Sequence, residues 1–321
     1  MRINRNVVVK RGNSILLVAF LMLTMATSFA QKEHLLIGRT TGQLAIKKQT
    51  TVRVFGFSTS LSGQVTLPGP CIEAMVGDSI AIDFWNISQG NPVSLTCNAI
   101  PFLQYDEEAK TLLEKQPIDH MEHGFYAFKA EKSGTYLYYS PENYPFNLQA
   151  GLFGTIIIRA KEEDSKPLKA KKEMLWCSYE MDPKWHTDAI MDVEHSDLNK
   201  PILLPDYKPN YFLINGKPAK KTTGLQAVAN KNEPVLLRMV NAGLYLHEIQ
   251  FPKNLKVQLV SGKPKAINKT TEGYLIQLLP GECLEFLAFL EAIKEKEKLI
   301  YRFIEPTSEK IVYKASIPIF Y

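Results

Sequence analysis

Gly134-Thr135-Tyr136-Leu137-Tyr138-Tyr139-Ser140-Pro141 opens the stretch whose reading decides the fold, and Gly151-Leu152-Phe153-Gly154-Thr155-Ile156-Ile157-Ile158 closes it. The tyrosines at 136, 138 and 139 are strand formers, and Ile156-Ile157-Ile158 is a β-branched run suited to a buried strand. A loop containing Asn143, Pro145 and Asn147 separates them. The glycine pair before the second run allows a tight bend or a close backbone approach. The stretch therefore predicts strand, loop, strand.

Upstream, the same grammar repeats. Val52 and Val54 alternate around Arg53, and Pro68-Gly69-Pro70 punctuates the chain. After the Gly77-Asp78 turn, Ile80, Ile82 and Phe84 alternate toward Asn86, and Phe125-Tyr126-Ala127-Phe128 forms a further strand. Residues 106–115 suit a short helix or a long loop. Downstream, residues 160–172 are almost all charged or small, with Pro167 among them, and read as a linker. A second strand series follows, through Asn215-Gly216, a strand ending at Asn241-Ala242-Gly243, and the Pro280-Gly281-Glu282 turn. Residues 181–209 form a long excursion rich in Asp and Pro. Residues 288–298 have helix-forming composition but also suit a charged hairpin. Short strands between Gly, Pro and Asn turns predict an all-β protein of two sandwiches.

The chain of 321 residues is long enough for two domains with sizeable cores. Its 45% hydrophobic and 22% charged composition is globular. The net charge of +5 owes most to Arg2, Arg5, Lys10 and Arg11, since the first thirty residues hold no acid. The remainder is near neutral and gives no support to nucleic-acid binding. Those basic residues, the short apolar run 15–23 and Ser28-Phe29-Ala30 predict a signal peptide over 1–30, cut to leave Gln31 first. The apolar run is short for a bilayer span, so the expectation is export to the periplasm or exterior with no stable membrane anchor. Cys71, Cys97, Cys177 and Cys283 show no CxxC motif; small buried hydrophobes and a bridge are equally compatible with their spacing.

The order of these segments resembles the multicopper oxidases. Gly134 to Pro141 resembles the family's GTYWYHSH, with GLxG and an apolar strand after it. Pro68-Gly69-Pro70-Cys71-Ile72 resembles PGPxI, and Gly77-Asp78 with the strand to Asn86 resembles GDxxxxxxxN. Gln116-Pro117-Ile118 resembles QxPI. In the second half, Ile214-Asn215-Gly216-Lys217 resembles INGK, and Leu237-Arg238-Met239-Val240-Asn241-Ala242-Gly243 resembles LRLINAG. Leu279-Pro280-Gly281-Glu282 resembles LxPGER. The resemblance implies two cupredoxin-like (plastocyanin-like) Greek-key β-sandwich domains over 31–160 and 173–321, joined by 161–172. They correspond to the first and middle domains of a three-domain oxidase.

The resemblance also marks what has changed. The family's SIHWHG corresponds to Ser94-Leu95-Thr96-Cys97-Asn98-Ala99, so Thr96 and Asn98 stand at two copper-ligand positions. Tyr139 and Pro141 stand at two more. Copper binds imidazole nitrogen or soft sulfur in fixed geometry, which a hydroxyl, an amide or a proline ring supplies poorly or not at all. Aligned instead with two-domain nitrite reductases, the ligand positions hold Tyr139, Ser140 and Asn147. The remaining metal candidates are His120 and His123 in one short loop, and His186 and His195 in the excursion with Met181 and Met191. His247, alternating with Ile249 and Phe251, reads as a packed or hydrogen-bonded strand residue. Tyr136, Tyr138, Tyr139, Tyr144 and Phe146 are expected to refill the volume around the altered site. No GxSxG or HExxH motif is present. The resulting expectation is a degenerate copper site with no cofactor and no catalytic residues. Its function would be to bind or assemble with a protein or small ligand. The alternative is a copper-binding oxidoreductase or copper-handling protein with non-standard ligands.

Overall fold

Alternation of buried and exposed residues along short strands sets the architecture of the computed structural model. It describes residues 32–320 apart from 48, 107–110, 162–169, 171, 194–196, 223, 227–232 and 294–296. The expected signal peptide and most of the expected linker lie outside the described residues.

The first sandwich contains β1 (Lys32–Lys47), β2 (Thr50–Ser58), β3 (Cys71–Met75), β4 (Ser79–Asn86), β5 (Thr96–Cys97), β6 (Leu103–Tyr105), β7 (Glu122–Lys129), β8 (Gly134–Tyr139) and β9 (Phe153–Arg159). A short helix, α1 (Phe146–Ala150), sits between the last two. The second contains β10 (Lys172–Met181), β11 (Tyr211–Ile214), β12 (Lys217–Pro218), β13 (Leu225–Gln226), β14 (Val235–Asn241), β15 (Leu246–Pro252), β16 (Lys256–Ser261), β17 (Ile267–Thr270), β18 (Gly273–Leu278), β19 (Cys283–Phe289), β20 (Lys298–Ile304) and β21 (Ile311–Phe320).

One strand order is used twice. The sheets β2-β1-β4-β7-β6 and β3-β9-β8-β5 recur as β11-β10-β14-β19-β16 and β13-β21-β20-β15. β12 and the β17–β18 hairpin are additions at sheet edges. Even the strand-end asparagines match. Asn86 Nδ2 donates to the carbonyls of Asn91 and Ile118, and its Oδ1 accepts from the amide of Ser88. Asn241 Nδ2 donates to the carbonyls of Tyr245 and Leu278, and its Oδ1 accepts from the amide of Gly243. Both satisfy backbone groups that would otherwise be buried without partners. The chain is all-β, built as two cupredoxin-like sandwiches.

The deciding stretch forms β8 and β9, paired antiparallel with Tyr138 opposite Gly154. A Cβ at 154 would lie 2.3 Å from the Tyr138 ring, so glycine there lets the tyrosine lie flat in the core. Where residues 106–115 are described, they form a loop bridged to Tyr105 by Leu112. The described residues of 288–298 form no helix, and the flanking strands do not pair as a hairpin: β19 ends at Phe289, and β20, from Lys298, belongs to the opposite sheet.

Each sandwich has its own apolar core, and a third cluster forms the seam between them. Leu137, Leu148 and Phe153 meet Tyr179, Met181 and Val240 there. A buried polar chain runs beside the seam. Thr135 Oγ1 donates to Glu285 Oε1 at 2.6 Å, and Arg238 pairs with Glu285 and, at 3.2 Å, with Glu173. Arg159 of the first sandwich reaches the same Glu173 carboxylate.

Candidate functional site

β5 runs antiparallel to β8, placing Thr96 opposite Tyr139 and Cys97 opposite Tyr138. The four positions singled out by sequence therefore gather at one end of the first sandwich, with Pro141 two residues beyond Tyr139. Tyr139 Oη donates to Asn98 Oδ1 at 2.8 Å. Burial pushes the Tyr139 phenol up, Tyr144 adds to this, and the bond to Asn98 opposes it.

The alternative ligand frame is closed in the same manner. Asn147 Nδ2 donates to Ser140 Oγ at 3.0 Å, and neither residue is exposed. Ser140 Oγ donates in turn to Glu142 Oε2 at 2.7 Å, which also accepts from the amide of Ser94 at 2.8 Å. Asn91 completes the chain by donating to Asn147 Oδ1 at 3.1 Å. Polar side chains here satisfy one another, as buried polar groups must. Proline 141 contributes no donor atom. The residues at these positions do not fit the nitrogen and sulfur set that copper requires.

The aromatic set does not converge on one pocket. Tyr138 is fully buried, with Oη donating to the Pro70 carbonyl at 2.7 Å, and Phe146 packs edge-on against Phe55 at 5.6 Å. Tyr144 is exposed. Tyr136 instead lines a cleft of about 640 Å³ between the sandwiches, with Asn98, Lys132, Lys263, Gly281 and Cys283.

The histidine candidates stand in separate surroundings. His120 is exposed beside Arg53 and Asp192. His123 packs against Trp85 at 4.4 Å, with Nδ1 3.7 Å from Asp83 Oδ1. His186 is buried, and its Nδ1 is taken up by the Arg53 carbonyl at 2.7 Å. His195 lies outside the described residues. Met181 and Met191 are core residues rather than partners for it: Met181 lies in the seam and Met191 in the first core. The four cysteines are free thiols, so the bridge among the sequence alternatives is absent. Among the described residues no group of three or more His, Cys, Asp or Glu is arranged to hold a metal.

Sequence reasoning missed a buried network in the second sandwich. His247 Nε2 lies 3.0 Å from Glu180 Oε2, and Nδ1 lies 2.7 Å from Ser178 Oγ. A carboxylate only accepts, so Nε2 carries a proton. Tyr301 donates to Ser178 at 2.7 Å, and Glu180 Oε1 accepts from the amides of Leu244 and Tyr245. Ser178, Glu180 and His247 are fully buried, so this Ser–His–Glu arrangement is structural: no substrate reaches the hydroxyl. One signal was present in Asn241-Ala242-Gly243. A Cβ at 243 would lie 2.2 Å from Glu180 Oε2, so glycine makes room for the carboxylate.

Comparison with known proteins places this geometry. The multicopper oxidase family model matches residues 46–163. Laccase-7 of Oryza sativa subsp. japonica is 28% identical over 193 residues, 56% of this chain and 32% of the relative. L-ascorbate oxidase of Nicotiana tabacum is 26% identical over 158 residues, 49% of this chain and 26% of the relative. The chain thus covers a third or less of either relative's length. Among solved structures, a blue copper oxidase from Nitrosomonas europaea superposes with a TM-score of 0.65 at 18% identity, covering 91% of this chain and 86% of the other. A copper nitrite reductase from the same organism gives 0.62 at 20% identity, covering 90% and 93%. These matches correct the expectation that no cofactor is involved. The matched family and its solved neighbours are copper proteins by name, and copper is the cofactor the family implies. Residues 46–163 match the multicopper oxidase family model, and the chain as a whole shares the two-sandwich fold of the solved multicopper oxidases it resembles.

Proposed function

We propose that this chain is an exported, multicopper-oxidase-like binding or assembly module. Its first sandwich keeps the family frame and joins two of the four ligand positions by a side-chain hydrogen bond. The observation that carries this reading is the 2.8 Å bond from Tyr139 to Asn98. It joins two of the four positions through a phenol and an amide. The neighbouring Ser140–Asn147 bond supports the same reading. The cleft at Asn98, with Lys132 and Lys263 on its walls, offers a concave surface for a protein segment or small ligand. Export rests on the signal-like residues 1–30. No helix among the described residues is long and apolar enough to cross a membrane.

A second reading is favoured by the family match: a copper-dependent oxidoreductase or copper-handling protein with non-standard ligands. The proposal concerns the chemistry of the four positions, and copper remains the cofactor the family implies. Native mass spectrometry of the protein from its source, beside an Asn98→Trp variant that fills the cleft, separates the two. A ligand or partner bound at defined stoichiometry and lost in the variant is the expected outcome. An empty cleft together with copper-dependent oxidase activity would favour the second reading.

A further inference from the structure

Residues 182–192 leave the second sandwich and lie on the first. Trp185 is 5% exposed and Met191 3%, and both pack into the core of the first sandwich. One residue of β2, Arg53, holds this segment at three points. Its carbonyl accepts the Nδ1–H of His186 at 2.7 Å. Its guanidinium pairs with the carboxylate of Asp192 and, at 3.5 Å, with that of Asp188 at the start of α2 (Asp188–Met191). A cavity of about 580 Å³ lies beside the contact, lined by Thr40, Arg53, His120, Met191 and Asp192.

The chemistry of the bond fixes the tautomer. A carbonyl only accepts, so Nδ1 carries the proton and Nε2 holds the lone pair. His186 is only 6% exposed. A second proton would therefore place a full charge where water does not solvate it.

We propose that residues 182–192 form an acid-released latch between the sandwiches. A solvent proton taken up at His186 Nε2 makes the ring a buried cation. The segment then lifts from β2 so that the ring reaches water, and the adjacent cavity widens into a groove.

The charged groups around the ring are few and pull in opposite directions. Asp182, on the same segment, favours the cation. Its own carboxylate is already engaged by the amides of Lys184 and Lys208. The Arg53 guanidinium opposes the cation but is neutralised by Asp188 and Asp192. Tyr207, packed on Trp185 at 4.8 Å, is a phenol held well above its ordinary range by burial. His120 lies across the cavity. Burial outweighs the Arg53 bond and Asp182, and holds His186 down to about 4.

Hydrogen exchange of the full chain, read by peptide near neutral pH and near about pH 4.5 after correction for intrinsic rates, tests the latch. A ring titrating near about 6.5 when open and about 4 when closed favours opening by roughly 80-fold at the lower pH. Peptides covering 182–192 are expected to lose protection by that order while β14 and β19 keep theirs. His186→Asn retains a side-chain N–H for the Arg53 carbonyl and takes up no proton, so its segment should stay protected at both pH values. Should that variant misfold, the wild-type ring titration followed by NMR must share its midpoint with the loss of protection. Unchanged protection on acidification, simultaneous opening of β14 and β19, a variant that opens like wild type, or separated midpoints would each overturn the proposal.

Discussion

In the first sandwich Thr96 and Cys97 face Tyr139 and Tyr138; in the second, Leu246 and His247 face Ile304 and Phe303. The register is the same and the strands occupy corresponding places in their sheets. The contents differ. At the first end the polar pair is Tyr139 and Asn98, half-buried and exposed. At the second, the polar residue is His247, which is wholly buried with both ring nitrogens engaged. A hydrogen bond in contact with water adds little net stability, because water replaces it when it breaks. A buried network gives no such escape. The second end is therefore committed to holding its sandwich together, whereas the Tyr139–Asn98 bond at the first contributes little to stability.

Substitutions should expose that difference in order of size. Glu180→Ala removes the acceptor for His247 and for two backbone amides, and should destabilise the fold by about 4 kcal/mol in equilibrium urea unfolding. A loss comparable to that at Tyr139 would erase the contrast. Next comes the seam. Arg238→Ala leaves Glu285 buried without its cation and should lose about 3 to 4 kcal/mol. Arg238→Met, which retains packing but not charge, would show how much of that loss is electrostatic.

Acid should act through His186 at about 3 kcal/mol. The unfolded ring takes up its proton near about pH 6.5 and the folded ring only near about 4, so between these values the unfolded chain binds more protons. This contribution is complete above the unfolded value and is lost as pH falls through the window. His186→Asn should flatten that part of the stability profile; an unchanged slope would assign it to other groups. The smallest effect belongs to the first end. Tyr139→Phe deletes the hydroxyl bonded to Asn98 and should cost about 0.5 kcal/mol.

The sequence made the strand plan legible because its signals are local. Alternation at Ile80, Ile82 and Phe84, and the turns at Gly77-Asp78 and Asn215-Gly216, lie within a few residues of what they specify. The closeness of Thr96, Asn98 and Tyr139 was legible because the segments that carry them resemble one family frame. Inward alternation placed His247 on a packed strand face, but its partners Ser178 and Glu180 lie 69 and 67 positions away. No periodicity reports such a pairing. The excursion was misleading for a related reason. Met181, His186 and Met191 look like a soft ligand set in one dimension, yet in three Met181 packs into the seam, Met191 into the first core, and His186 is engaged by the Arg53 carbonyl. The expected absence of a cofactor failed differently: it was argued from individual residues, and the match to a family of copper proteins overturns it.

The central claim is that the first-sandwich positions Thr96, Asn98, Tyr139 and Pro141 have left oxidase chemistry. Its most direct test is dioxygen uptake by copper-loaded protein with a phenol as electron donor, measured against free copper at the same concentration. The account predicts no uptake beyond the free-copper control. Uptake that saturates with donor and scales with protein-bound copper would contradict it.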